Sequence, residues 1–298
     1  MTDPKADLPA VAFIGLGNMG SPMSARLAAA GYPVTGFDLD PAARDRLTEA
    51  GGTTAGSAAE AARGAGVVIL MLPSSAVVEA VLAEPAVTAA LAPGTTVIDM
   101  SSSDPLSTRK LAGELAAASV TLIDAPVSGG VKGAENGTLT IMVGGEEAAV
   151  ERARPLLAQL GSARRAGNVG SGHAIKAINN LLSATHLLAT AEGILAGERF
   201  GLDPAVMVEL INTSSGRSGS TDNKYPNFIL PETFDSGFGL RLMLKDMKIA
   251  TGLARQLGLS SRLGEQAVAL WEHAAEALPP AADHTEIARW AAAATRAG

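Results

Sequence analysis

The sequence predicts an α/β fold: a doubly wound parallel sheet in the N-terminal half, followed by an all-helical C-terminal domain joined to it by one long helix. Three observations carry this expectation. Short, fully apolar strands alternate with helical stretches from Val11 to Leu160, and strands apolar on both faces belong in a parallel sheet covered by helices on each side. Gly167, Gly170 and Gly172 then mark a change of texture, after which only helical patterns follow. Alanine, the best helix former, is abundant while aromatic residues make up 3%.

The elements follow in order. Val11–Ile14 reads as a buried strand that meets glycine at Gly15; an alanine-rich helix runs to about Ala30 and stops at Gly31. Further strands are expected at Pro33–Phe37, Val67–Leu72, Thr95–Asp99, Thr121–Asp124 and Leu139–Val143, with a helix over Glu146–Leu160. The stretch from His173 to Phe200 is apolar on nearly every face, the mark of a buried helix, with Gly201 as its stop. At ~1.5 Å per residue it spans roughly 40 Å, enough to pass between domains. Helices are expected at Pro204–Thr213, Leu240–Leu257, Arg262–Ala277 and Thr285–Ala294, and Ser214–Gly239 reads as a long loop of the kind that often carries function. A chain of 298 residues fits two domains, placed at 1–167 and 168–298.

Composition removes several function classes. A net charge of -7 without a stripe of Lys and Arg argues against nucleic acid as a partner. There is no cysteine, so disulfides, thiol chemistry and cysteine-ligated metals are excluded, and the four histidines lie far apart, so no metal site is expected. Met1 to Ala10 carries Asp3, Lys5 and Asp7 without an apolar core, unlike a signal peptide, and no run approaches a membrane span. A cytoplasmic protein is the expectation.

Gly15-Leu16-Gly17-Asn18-Met19-Gly20 fits G-x-G-x-x-G between a strand and a helix. Gly15 permits the tight turn, Gly17 lets backbone approach a pyrophosphate, and Gly20 lets helix and strand pack closely. The helix N-terminus offers N–H groups and partial positive charge to phosphates. Asp38, 23 residues after Gly15 at the end of the second strand, is placed to accept hydrogen bonds from the adenosine ribose. The first half is therefore Rossmann-like. Asp38 and Asp40 would repel a 2′-phosphate, which favours NAD over NADP, although Arg44 or Arg46 could fold back and weaken that preference.

Three further segments bear chemistry. Asp124-Ala125-Pro126-Val127-Ser128-Gly129-Gly130 gathers a hydroxyl and several N–H groups in one turn, a cradle for a carboxylate; an ordinary β-turn is the plain alternative. In Gly170-Ser171-Gly172-His173-Ala174-Ile175-Lys176-Ala177-Ile178-Asn179-Asn180, Lys176 and Asn180 share a helix face. Burial lowers a lysine pKa, and a lysine near neutrality can take and return a proton at a hydroxyl, with Asn180 orienting the oxygen. A lysine snorkelling from the helix start is the alternative, and His173 reads as structural or a rim residue. Lys245-Asp246 opens a late helix, where Lys245 could reach cofactor or substrate and Asp246 could pair with it; a solvated face is the ordinary reading.

Taken together, and in this order, the segments resemble the β-hydroxyacid dehydrogenase family, above all the 3-hydroxyisobutyrate dehydrogenase type, from Val11 to about Ala293. Gly15, Gly17, Gly20 and Met23 match the N-terminal pattern, Asp124–Gly130 the substrate loop, Gly170, Gly172, Lys176 and Asn180 the catalytic helix, and Lys245 and Asp246 the late pair. The resemblance implies a 3-hydroxy acid as substrate and Lys176 as general base in oxidation and acid in reduction. Ser128, Gly129 and Gly130 would hold the carboxylate, Leu72, Pro73 and Ser102 would lie along the cofactor, and Lys245 would help close the site. It also implies a homodimer or homotetramer. A polar tail on the substrate would point to threonate, glycerate, tartronate semialdehyde or a sulfonated analogue, and Arg217, Asn223 and Lys224 could serve such a tail or be surface charges. Asp283-His284-Thr285-Glu286 is similar to the C-terminal stretch of L-threonate dehydrogenases and reads equally as a helix cap. A non-catalytic nucleotide-binding module is the reading from another class, disfavoured by the retained Lys176 and Asn180.

Overall fold

The structure, a computed structural model, describes residues 8–294. Of the N-terminal stretch read as unlike a signal peptide, residues 1–7 lie outside the described ones. The chain divides into two compact units, one up to Lys176 and one from Ala177 onward.

The first unit runs β1 (Val11–Ile14), α1 (Gly20–Ala29), β2 (Val34–Phe37), α2 (Pro41–Glu49), β3 (Thr53–Thr54), α3 (Ala58–Ala62), β4 (Val67–Leu70), α4 (Ser75–Ala83), α5 (Pro85–Ala90), β5 (Thr96–Asp99), α6 (Pro105–Ala116) and β6 (Thr121–Asp124). It continues through β7 (Val127–Ser128), α7 (Gly130–Asn136), β8 (Leu139–Gly144), α8 (Glu147–Leu157) and β9 (Gly161–Gly167). The strand order is β3-β2-β1-β4-β5-β6-β8-β7, with β9 paired to β8. Strands β1 to β6 are mutually parallel, and β8 meets β6 and β7 antiparallel.

The alternation of side chains along each strand explains why the strands read as continuous apolar runs. Val11, Phe13, Ile69, Ile98 and Ile123 enter one core cluster. Their neighbours Ala12, Ile14, Val68, Leu70, Val97 and Leu122 enter another on the opposite face. Several helices start on sequence signals: Asp40 and Asp104 accept N–H groups at the starts of α2 and α6, each followed by proline. Strand order reverses between β1 and β4, and in such sheets ligands bind at the carboxyl ends of strands beside that switch.

Besides the two-residue strands β3 and β7, two parts of this unit were not expected. Strand β9, Gly-Ser-Ala-Arg-Arg-Ala-Gly, has no apolar run and is mostly exposed; it is held by parallel pairing to β8 rather than by burial. Helix α7 forms from a glycine-containing stretch that lacks a helical apolar pattern.

Helix α9 (Ser171–Phe200) begins in the first unit and continues into the second. The second unit adds α10 (Pro204–Asn212), a π-helical segment (Ser220–Ile229), α11 (Leu240–Gln256), α12 (Arg262–Ala277), a 3-10 turn (His284–Glu286) and α13 (Ile287–Ala294). Its core gathers Leu187, Ala191, Ile194, Met243, Met247, Trp271 and Ile287. Two expectations need correction here. Helix α9 is not buried all round, since Ile175, Ile178 and Leu182 are 43%, 41% and 52% exposed. The expected loop over Ser214–Gly239 contains the π-helical segment, which opens on Ser218 and Thr221 side-chain hydrogen bonds to backbone N–H groups and is anchored by buried Tyr225. Its Ser, Thr, Asn and Pro residues disguise it as a loop, because these types favour turns. Among the described residues no helix is long and apolar enough to cross a membrane.

Candidate active site

Two of the three glycines of the β1–α1 turn are required by the protein's own packing. Gly15 has φ +97°, and a Cβ there would collide with the Met71 carbonyl oxygen. A Cβ at Gly20 would collide with the Gly15 carbonyl oxygen. At Gly17 a Cβ would meet no protein atom within 4 Å, and Gly17 and Asn18 are exposed. Nothing in the protein needs Gly17 to lack a side chain; the space suits phosphates approaching the N-terminus of α1. Asp38 is half-buried and fixed by two N–H donors, Leu16 at 2.6 Å and Asp40 at 2.8 Å. Each carboxylate oxygen keeps a lone pair for ribose hydroxyls. Arg44 does fold back: its guanidinium donates to the Asp38 carbonyl oxygen at 2.6 Å. Leu16 is buried, Met19 half-buried, and these residues fit a dinucleotide.

Along the strand ends, half-buried Leu72 donates its N–H to Ser101 Oγ at 2.9 Å, with Pro73 exposed and Ser102 half-buried beside them. Ser128 is set in register by β7 pairing with β8, opposite Thr140. Gly129 and Gly130 follow at φ +131° and +63°, a backbone that other residues rarely adopt. Successive N–H groups thus line the start of α7.

The start of α9 is held by a buried polar cluster. Strands β5 and β6 place Asp99 and Asp124 side by side in register. Asp124 accepts the N–H groups of Gly170 at 2.6 Å and His173 at 2.8 Å, acting from another strand as the cap of α9. The His173 ring joins Thr108 Oγ at 2.8 Å and donates from Nε2 to the Ser101 carbonyl oxygen at 3.1 Å. Asp99 in turn accepts the Ser101 N–H and the Ser103 hydroxyl. Gly172 must be glycine, because a Cβ would strike the Met142 carbonyl oxygen. His173, 1% exposed, is thus a structural residue and not a rim residue. Lys176, 7% exposed, lies one turn further along this fixed helix.

In the second unit Asn180 is 5% exposed and donates to Asp246 Oδ2 at 2.6 Å, while its Oδ1 accepts from Asn179 at 3.1 Å. The carboxylate can only accept, so the amide orientation is determined, and the second Asn180 N–H hydrogen points elsewhere. Asp246 is 1% exposed and also pairs with Lys245 Nζ at 3.3 Å. This corrects the ordinary reading of Lys245-Asp246 as a solvated pair. Asp283 and Glu286 form a capping box at the 3-10 turn. Asp283 further accepts from Ser236 Oγ and the N–H groups of Gly237 and Phe238. Burial alone would raise its pKa, but hydrogen bonds from His284, Thr285 and Ser236 hold it well below the usual carboxylate range. Arg217 and Asp222 form an exposed ion pair at 3.0 Å.

Sequence reasoning missed Ser101, Asp99, the bracing role of Asp124 and the Asp246 bond to Asn180, whereas the helix-cap reading of Asp283–Glu286 holds. One signal was available: two apolar strands, Thr96–Asp99 and Thr121–Asp124, each end in an acid. The Asn180 partner of Asp246 and the Ser236, Gly237 and Phe238 partners of Asp283 lie far away in sequence and left no local mark.

Residues 10–173 match the NAD binding domain of 6-phosphogluconate dehydrogenase, and residues 170–291 match the NAD-binding region of NADP-dependent 3-hydroxyisobutyrate dehydrogenase. The chain is 40% identical to the NAD-dependent L-serine dehydrogenase of Pseudomonas aeruginosa over 88% of its own length and 90% of that protein's. It is 41% identical to the 3-hydroxyisobutyrate dehydrogenase of the same organism, over 90% of this chain and 92% of that one. Among solved structures, the 3-hydroxyisobutyrate dehydrogenase of Mycobacterium tuberculosis with L-serine superposes at a TM-score of 0.90 with 34% identity, covering 95% of this chain and 99% of that one. With a glycine turn shaped for a dinucleotide and a buried lysine on a braced helix, the chain belongs to the β-hydroxyacid dehydrogenase family of nicotinamide-dependent oxidoreductases.

Proposed function

We propose that the protein oxidises the 3-hydroxyl of a small 3-hydroxy acid, with Lys176 as the proton acceptor and Asn180 as the group that orients the oxygen. The observation that carries this is the pair itself. Lys176 and Asn180 are both nearly buried, four residues apart on α9, and Asn180 is locked by Asp246. NAD, when bound, accepts the hydride that leaves the hydroxyl-bearing carbon. The hydroxyl proton passes to Lys176 Nζ as the carbonyl forms, and in the reverse direction Lys176 returns it. Asn180 donates its remaining N–H to the same oxygen. Ser128, Gly129 and Gly130 take the carboxylate, which fixes the carbon chain while the hydroxyl reacts.

The cofactor set is Gly15, Leu16, Gly17, Asn18, Met19 and Gly20 for the phosphates, Asp38 for the ribose, Leu72, Pro73 and Ser102 along the nicotinamide half, and Lys245. NAD is favoured over NADP because a 2′-phosphate would approach the Asp38 carboxylate, a preference that the Arg44 guanidinium folded against the Asp38 backbone weakens. Residues 1–167 would bind the cofactor and 168–298 would supply substrate contacts and assembly, in a cytoplasmic homodimer or homotetramer.

L-Serine and 3-hydroxyisobutyrate, the substrates in the relatives' names, share a carboxylate and a hydroxymethyl group on one carbon and differ only in the third substituent there. The shared part is what Ser128–Gly130 and Lys176–Asn180 would recognise. The test is nicotinamide reduction over a panel of such acids with NAD and NADP, beside Lys176→Ala. Turnover with NAD that disappears in the variant, while cofactor binding persists, is expected. Equal turnover by Lys176→Ala would overturn the assignment.

A further inference from the structure

The π-helical segment carries a cation that the reaction as described does not use. Lys224 Nζ donates to Ser183 Oγ at 2.7 Å. Ser183 lies three residues beyond Asn180 on α9, on the same face, about 4.5 Å along the helix axis. An ammonium therefore stands one turn from the amide that orients the reacting oxygen. It is half-buried. Burial pushes its pKa down to about 8, with the Asp283 charge pulling the other way. Asp283 is not its contact partner: that carboxylate is filled by Ser236, Gly237, Phe238 and Thr285. The ion pairs among the described residues do not include Lys224. Arg217, which precedes this segment, is paired with Asp222 on the surface.

A partly desolvated ammonium whose one hydrogen-bond partner is a neutral hydroxyl gains most from an anion. We infer that Lys224, steadied by Ser183, binds a second carboxylate on the substituent next to the reacting hydroxymethyl group, so that the preferred substrate is a 3-hydroxy diacid. The inference rests on the 3-hydroxy acid reading above. Specificity then resides in the π-helical segment, which gives the Lys224–Ser183 contact a purpose beyond bracing that segment against α9.

The experiment compares 3-hydroxyisobutyrate with 2-(hydroxymethyl)succinate, in which a carboxymethyl group replaces the methyl. Steady-state kinetics with NAD are measured for the natural protein and for Lys224→Met, Lys224→Gln and Lys224→Arg. Far-UV circular dichroism and NAD binding confirm that each variant folds. The natural protein should favour the diacid. The ratio of kcat/KM for diacid over monoacid should fall roughly 10–100-fold in Lys224→Met and Lys224→Gln through the diacid KM, a size typical of a charged hydrogen bond, and should persist in Lys224→Arg. A natural protein that favours the monoacid, or a ratio that Met and Gln leave unchanged, would overturn the inference while leaving the hydroxy acid reading intact. If neither acid turns over, the hydroxy acid reading has failed instead. Calorimetric binding of 2-(hydroxymethyl)succinate then decides Lys224 alone: binding lost in Lys224→Gln supports it, and binding kept or absent throughout refutes it.

Discussion

The two units each bury a carboxylate that organises backbone, and they draw it from different places. In the first unit Asp124 ends a strand of the sheet and accepts the Gly170 and His173 N–H groups, fixing the start of α9. In the second, Asp283 stands in a connection between helices and accepts the N–H groups of Gly237, Phe238 and Thr285. The sheet offers its carboxylate from a rigid, fully buried position. The connection must build that rigidity from its own hydrogen bonds. Rigid support of a site is therefore inherited from the core in one unit and assembled locally in the other, and the two should fail differently when cut.

The largest difference is expected at Asp124. Asp124→Ala strands two backbone donors in a fully buried place and leaves a cavity, so we expect a loss of about 3–5 kcal/mol in urea unfolding of the first unit. Turnover should fall with it, because the helix turn that carries Lys176 loses its cap. A loss below about 1 kcal/mol would mean that water or the neighbouring Asp99 cluster replaces the carboxylate, and the contrast would collapse.

Asp246 tests the support of a single side chain rather than of a helix start. Asp246→Ala removes the acceptor that aims the Asn180 amide. An amide free to turn should cost roughly 10–100-fold in kcat, since small misplacements of orienting groups have effects of that order. NAD binding should hold. An unchanged kcat with a raised KM would instead place Asn180 in substrate binding alone.

These contrasts also explain what could be read from the chain before its structure. Apolar strands such as Val67–Leu70 and the glycine spacing of Gly15–Gly20 are local patterns, and both lie where periodicity put them. So do Lys176 and Asn180, because a helix converts a spacing of four into a shared face. Strand β9 escaped because its hydrogen bonds to β8, and not an apolar pattern, make it a strand. The π-helical segment escaped because its residues favour turns individually and are held by Tyr225 and by Lys224 on Ser183. Asp246 was read only as a partner of Lys245, and its bond to Asn180 escaped for a third reason: the two are 66 residues apart. Local chemistry was legible, and whatever depended on a distant partner was not.

Asp283→Ala should cost less than Asp124→Ala, about 1–2 kcal/mol, the range of a lost helix cap. The pH dependence carries a sign. Net stabilisation of its charged form lowers the folded-state pKa of Asp283, so its contribution is complete above the ordinary aspartate range and is lost as pH falls through the folded value. Acid titration of the natural protein should lose stability that the variant never had, and the two curves should converge at low pH. Parallel curves would show that the carboxylate is not what holds Ser236 to Phe238 in place.

The smallest stability effect separates ligand from fold most sharply. A Cβ at Gly17 meets no protein atom within 4 Å, and its φ is not in the left-handed range. Gly17→Ala should therefore fold normally and gain about 0.4–1 kcal/mol, because alanine restricts the unfolded chain. The same added methyl occupies the space left for phosphates, so NAD affinity, followed by quenching of intrinsic fluorescence, should fall. Gly20→Ala is the counterpart: its methyl collides with the Gly15 carbonyl oxygen, and both stability and binding should drop together. If Gly17→Ala binds NAD as the natural protein does, the phosphates do not pass over Gly17, and the room there serves some other purpose.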